Sequence, residues 1–299
     1  MVEVKRRKRM RTAPGEMVFQ ICIYLMVGIL AFCCVYPFYY CLVQSFNDGY
    51  DARVGGIYWF PREFTLKNYE TVFANPNIIQ TFITTIMRTL IGTVTSVAFT
   101  AMFAYGLSKK IAFRKVYSVM GLITMYFSGG LIPFYFLIRD LHMIDTFAVY
   151  IIPSLLSYYN ALLLMANFRS IPEALEEAAL IDGAKPFRIF VQIVLPLSTP
   201  ILATIALFNG VGHWNDWYTT AIYTRSEYLN TLPMLLKDII EYANNQSEIE
   251  AKLLMERSTV TVEATRYATM MIAVIPITIS YPFLQRFFMK GMMVGAVKA

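Results

Sequence analysis

Charge is scarce in this sequence. Only 15% of its 299 residues are Asp, Glu, Lys or Arg, 57% are hydrophobic, and the mean hydropathy is +0.50. Ordinary soluble domains carry about 25% charge, so the shortage excludes a water-soluble globule. Histidine is scarcer still, with His142 and His213 alone. No Ser/His/Asp set can be assembled around them, and no Gly-rich phosphate loop of the Walker type is present, so neither a hydrolase nor a self-contained ATPase is expected. The four cysteines, Cys22, Cys33, Cys34 and Cys41, all fall in one apolar run without metal-ligand spacing, which argues against a disulfide framework and a metal site.

What the sequence has instead is long apolar runs. Met17–Asn47, Val116–Ile138, Thr146–Phe168, Ile189–Asn215 and Tyr267–Gln285 contain no Asp, Glu, Lys or Arg, and Ile78–Ser108 contains only Arg88. At about 1.5 Å per residue each can cross a hydrocarbon layer of about 30 Å. The expectation is an all-α integral membrane protein whose six transmembrane helices occupy residues 17–290, with a basic tail at 1–16, a second tail at 291–299 and no separate soluble domain.

Basic residues near span ends are retained on the cytoplasmic side, and they are unevenly shared here. Six precede the first run (Lys5 to Arg11), four follow the second (Lys109, Lys110, Arg114, Lys115), three follow the fourth (Arg169, Lys185, Arg188) and three follow the sixth (Arg286, Lys290, Lys298), sixteen on one face. The other face collects nine, most of them in its two longest loops, so both termini are expected in the cytoplasm. Beside a long uncharged run the basic N-terminus reads as a topology anchor on anionic lipid, not as a nucleic-acid tail or a cleaved signal peptide. Breakers interrupt several runs: Gly129, Gly130 and Pro133 in the third, Pro153 in the fourth, Pro276 and Pro282 in the sixth. Broken helices suit a polar pathway, and simple kinks give the same pattern.

One cytoplasmic connection, 168–196, is more than a linker. Ser170-Ile171-Pro172-Glu173 has the form of a capping box with proline in the first turn, and Gly183 supplies a stop, which predicts a helix of about 12 residues. Glu173, Glu176 and Glu177 complement the positive end of its dipole. Ala174, Ala178 and Ile181, flanked by Leu175, Ala179 and Asp182, give it a small apolar side that another surface can approach. A second short helix is expected from Pro186 to about Val194, ending at Pro196.

Glu177-Ala178-Ala179, three residues, Gly183, nine residues and Ile193-Val194-Leu195-Pro196 resemble, in spacing and identity, the EAA loop of membrane subunits of ATP-binding-cassette importers. The resemblance spans nearly the whole chain and points to the carbohydrate-importing, maltose-permease-like branch. Phe127-Ser128-Gly129-Gly130-Leu131-Ile132-Pro133, Trp214-Asn215-Asp216-Trp217 and the C-terminal Gly295-Ala296-Val297-Lys298-Ala299 are similar to members that handle complex oligosaccharides or polysaccharide fragments. It implies a type I importer permease fold in a prokaryotic cytoplasmic membrane. It also implies that the EAA loop, through Glu173, Glu176, Glu177, Ala178, Ala179, Asp182, Gly183 and Pro186, couples to a separate ATPase, and that the tail at Gly295, Ala296, Val297 and Lys298 reaches toward it. The implied partners are a second permease chain, two ATPase subunits holding ATP and magnesium, and an extracytoplasmic carbohydrate-binding protein. No cofactor is expected on this chain.

A cargo path can be sought in the residues themselves. Asn209, His213, Asp216 and Trp217 fall at i, i+4, i+7 and i+8 of the fifth run, one helical face, and polar groups at that depth belong against a cavity or a partner. Sugars need hydrogen bonds to hydroxyls and a flat apolar surface for the ring, which Asn, Asp and Trp provide. Alternatively Trp214 and Trp217 belong to an aromatic belt, with Asn215 and Asp216 marking the helix end. Arg88 is either an interhelical ion-pair residue or a cargo or gating residue. The outer loops Asn47–Asn77 and Tyr223–Thr265, the second with Glu241, Asn244, Asn245, Gln246, Glu248 and Glu250, suit docking and cargo contact equally. The rival class is an ion-gradient-driven secondary transporter with Asp216 or Arg88 as coupling charge, which leaves the EAA loop unexplained.

Overall fold

In the computed structural model, residues 14–74, 76–245, 264–279 and 282 are described. The basic stretch Lys5–Arg11, the tail residues Gly295, Ala296, Val297 and Lys298, and Gln246, Glu248 and Glu250 lie outside them. Among the described residues everything is helix or connection apart from one isolated β-bridge, Asn47 to Phe64.

The first two apolar runs form uninterrupted helices, α1 (Pro14–Ser45) and α4 (Pro76–Ser108), joined through the short helices α2 (Gly49–Val54) and α3 (Lys67–Ala74). In α4 the buried positions include Thr81, Thr85, Arg88, Gly92, Ser96, Thr100 and Ala104, a stripe at three- and four-residue spacing. Ile79, Ile83, Met87, Leu90 and Val94 point outward. That is the reverse of a soluble helix: small and polar side chains let neighbouring backbones approach, while the aliphatic side is free for lipid.

The next three runs are not the straight spans that their hydropathy suggests. The third divides into α5 (Arg114–Tyr126) and α6 (Leu131–Asp140), which meet at 115° across Ser128-Gly129-Gly130. The fourth divides into a short segment, Ala148–Ser154, that begins with α7 (Ala148–Ile151), and α8 (Tyr158–Ser170), bent by 48° just past Pro153, with the Ser157 hydroxyl capping α8. The fifth divides into α10 (Pro186–Leu197) and α11 (Thr199–Asn215), bent by 82° at Ser198 between Pro196 and Pro200. Proline removes a backbone donor and crowds the preceding turn, and the freed groups must be satisfied by neighbouring protein, which is why breaks collect here. Past α12 (Tyr218–Tyr223) and the amphipathic α13 (Leu232–Asn245), the sixth run appears as α14 (Ala264–Ile279).

Helix α4 is the central post. At its C-terminal end Ala101, Ala104 and Leu107 pack with Leu164, Met165 and Phe168 of α8 and with Ile189, Phe190 and Val194 of α10. At its N-terminal end Thr84 donates to the Tyr228 carbonyl at 3.0 Å, and the connection 141–147 closes over the 223–229 segment. Asp145 fastens that closure, accepting from the backbone N–H groups of Arg225 and Ser226 at 2.9 Å each and from the Ser226 hydroxyl. These donors hold its carboxyl below the usual carboxylate range.

The loop helix α9 (Glu173–Ile181) starts and ends differently at its two ends. The expected capping box does not form. Ser170 is the last residue of α8 and its hydroxyl donates to the Asn167 carbonyl at 2.7 Å, while Pro172 takes the cap position. Proline drives the preceding residue, Ile171, into an extended conformation (ψ 130°), so α9 is nine residues long, not about 12. The predicted stop at Gly183 does form: φ is +80°, Gly183 N–H donates to Leu180 at 3.0 Å and Ala184 N–H to Ala179 at 2.9 Å, a Schellman closure. The second loop helix passes the expected stop at Pro196 and runs to Leu197. A π-helical stretch, Phe190–Val194, precedes that proline, and the wider turn is one way a helix accommodates the missing donor.

Candidate functional site

Two places on this scaffold gather chemistry, one midway along α4 and one at its C-terminal end. Midway lies a cavity of about 390 Å³, within the size range of small-ligand sites. Arg88, Tyr150, Asn209, His213, Asp216 and Thr219 supply its polar lining, and Phe134, Phe208 and Tyr223 supply aromatic surface.

Arg88 and Tyr150 are the most deeply placed of these. For Arg88 the surroundings are ionic. Its side chain is 2% exposed and pairs with the Asp216 carboxylate, which is 28% exposed; it also donates to the Asp216 backbone carbonyl at 2.7 Å. The guanidinium lies 4.4 Å from the centroid of the Tyr150 ring. Tyr150 is held in turn through its hydroxyl, which donates to the Leu229 carbonyl at 2.7 Å and meets Thr220 Oγ at 3.1 Å. The other carboxylate oxygen of Asp216 accepts from Thr219 N–H at 3.0 Å, and the Thr219 hydroxyl donates to the oxygen that faces Arg88. Both charges are therefore paired and hydrogen-bonded, the condition under which an ion pair is tolerated away from water.

The sequence-derived face on the fifth run is brought together in part. Asn209, His213 and Asp216 line the cavity. Asn209 also bridges helices, accepting from Asn160 Nδ2 at 3.3 Å and donating to Ser96 Oγ at 3.3 Å. His213 is buried against Gly92 of α4, where a Cβ would stand 2.6 Å from its ring, so only glycine admits the imidazole. Trp217 is not on that face. Helix α11 stops at Asn215 and Asp216 is extended (ψ 101°), which breaks the i, i+8 projection and leaves Trp217 beside Tyr218 and under the Lys237 ammonium at 5.1 Å. Trp214 turns the other way, is buried, and donates its indole N–H to the Ala273 carbonyl of α14 at 3.0 Å. Asn215 is exposed and donates to the Val211 carbonyl at 3.0 Å. No cluster of metal-ligating side chains occurs among the described residues.

At the end of α4 the loop helix α9 presents its apolar side outward. Ala174, Ala178 and Ile181 are all exposed, Ile181 by 86%, and Phe187 beside them by 69%. Glu173, Glu177, Asp182, Gly183 and Pro186 are exposed as well. Ala179 is half-buried against the core beneath. Glu176 differs from the other loop acids: it turns inward, pairs with Lys109 and accepts from the Tyr105 hydroxyl at 3.3 Å. Sequence reasoning gave Lys109 only as a topology charge and singled out neither Tyr105 nor Tyr150, because nothing in their spacing ties them to Glu176 or Arg88.

Residues 101–294 match the family described as the binding-protein-dependent transport system inner membrane component. The chain belongs to that family. It is a non-catalytic membrane component of a transport system. It is similar to protein LplC of Bacillus subtilis (strain 168), 32% identical over 97% of this chain and 98% of that protein. The polygalacturonan/rhamnogalacturonan transport system permease protein YtcP of the same organism is 31% identical over 94% and 98%. Among solved structures, a chain of a bacterial ABC transporter involved in the import of the acidic polysaccharide alginate superposes with a TM-score of 0.85 at 31% identity, covering 93% of this chain and 99% of that one.

Proposed function

We propose that this family member forms half of the translocation path of an ATP-driven importer of an oligosaccharide or polysaccharide fragment. In this reading the six apolar runs are six spans with both termini in the cytoplasm, and the loop 168–196 docks on a separate ATPase subunit. A second permease chain, two ATPase subunits holding ATP and magnesium, and an external carbohydrate-binding protein complete the complex.

The observation that carries the reading is the exposed apolar face of α9 and α10. Ile181 and Phe187 leave large apolar side chains uncovered on a Schellman-closed loop between spans, where exposed apolar surface suits a protein contact. The carbohydrate class rests on the relatives named above, and it suits a cavity that offers amide, hydroxyl and carboxylate groups beside flat aromatic rings. Expressed with its partners and extracted in mild detergent, the chain should bring down two ATPase subunits and a second permease. Ile181→Asp should release the ATPase subunits while the two permeases stay paired. An Ile181→Asp complex with its full complement of ATPase would overturn the docking assignment.

A further inference from the structure

The loop helix is held to the body of the protein by more than the chain at its two ends. Glu176 turns back from α9 to the end of α4, where it pairs with the Lys109 ammonium and accepts from Tyr105 Oη at 3.3 Å; Lys109 Nζ lies 4.8 Å from the Tyr105 ring centroid. The Glu176 side chain is 15% exposed, whereas Glu173 and Glu177 face solvent, so one acid of the three has been turned inward.

Besides the packing of Ala179 and of α10 on the core at the end of α4, the chain's own routes from α9 into the membrane body are broken. Toward α8 the chain passes through the extended Ile171-Pro172, and toward α11 it crosses the 82° bend at Ser198. Helix α4 runs unbroken from Pro76 to Ser108 and carries Arg88 in the cavity wall. From Arg88 to Ser108 this is about 30 Å of continuous helix, and Lys109 is the first residue past its end.

We propose that the Glu176–Lys109 pair is the tether through which movement of the loop is passed to α4 and so to the cavity. Glu176 and Lys109 are then positioning residues of the transport cycle, and Glu176 is not part of the surface offered to the ATPase. The proposal rests on the docking reading of α9 given above.

The test uses the complete complex, with its other cysteines replaced and Ser154→Cys in the cavity wall as the single thiol. Two quantities are read: retention of the ATPase subunits, and the change in the rate of thiol labelling between the nucleotide-free complex and the complex trapped with Mg-ATP and vanadate. Glu176→Gln and Lys109→Gln should keep their ATPase subunits but lose about tenfold of the nucleotide-driven change in labelling, an ordinary size for coupling between sites. Lys109→Arg should retain it, and the exchange Lys109→Glu with Glu176→Lys should regain most of it. Single variants with an undiminished labelling change, an exchange variant no better than the singles, or loss of ATPase subunits from Glu176→Gln would each overturn the tether. Failure of the docking reading shows separately, as ATPase retained by Ile181→Asp whatever the tether variants do.

Discussion

Arg88 and Asp216 are unequal partners. The guanidinium is almost wholly enclosed, and the carboxylate keeps 28% of its side-chain surface open to the cavity. Removing one charge of a buried pair leaves the other without compensation and costs about 3–5 kcal/mol. The stranded carboxylate of Arg88→Met keeps an open side through which water can reach it, whereas the guanidinium stranded by Asp216→Asn lines the same cavity almost fully enclosed. Asp216→Asn should therefore lower thermal stability more than Arg88→Met, and the double variant Arg88→Met/Asp216→Leu should recover most of the loss. Melting of the purified chain in detergent checks the order; equal losses in the two single variants would place both charges in the same environment. The sequence showed a lone arginine in an apolar run, but its partner lies 128 positions away and no local pattern could select it.

At the scale of elements, the loop helix was legible where its local chemistry was unambiguous. Gly183 ends α9 at φ +80°, and a Cβ there would meet nothing within 4 Å, so the position demands glycine for conformation and not for space. Gly183→Val should strain the turn by about 1–2 kcal/mol and change the exit angle toward Pro186. The expected outcome is a folded, membrane-inserted chain whose uptake falls while its amount in the membrane is unchanged, read by quantifying both in the same cells. Full uptake would separate the turn from coupling. The start of the helix was misread because two rules competed at Ser170-Ile171-Pro172. The capping-box pattern was present, and the restriction that proline places on its predecessor prevailed. The straight spans were misread for a related reason: hydropathy reports which residues prefer lipid, and it is silent on the direction in which a helix continues past Gly129-Gly130, Pro153 or Pro196.

At the scale of the molecule, α4 organises the rest while α1 stands apart, with none of its most apolar stretch buried by the described chain. The sixteen-to-nine bias of basic residues predicts that the α9 end of α4 faces the cytoplasm and the Asp145 closure the outside. In intact cells expressing single-cysteine variants, Lys185→Cys should resist a membrane-impermeant thiol reagent added outside and react after permeabilisation, with Arg225→Cys behaving in the opposite way. Labelling of Lys185→Cys in intact cells would reverse the orientation and remove the loop from any cytoplasmic ATPase.

Composition and local spacing by themselves determined that the chain lives in a membrane, where its apolar helical runs lie, and that one loop between them holds a helix closed at Gly183. These follow from transfer free energies and from backbone conformations that act within a few residues. Tertiary structure alone decided that Arg88 meets Asp216, that Trp217 leaves the polar face, that Trp214 donates to the Ala273 carbonyl, and that Glu176 reaches Lys109. Each depends on where a break turns one helix toward another, and the direction of a break is set by the packing of the whole bundle.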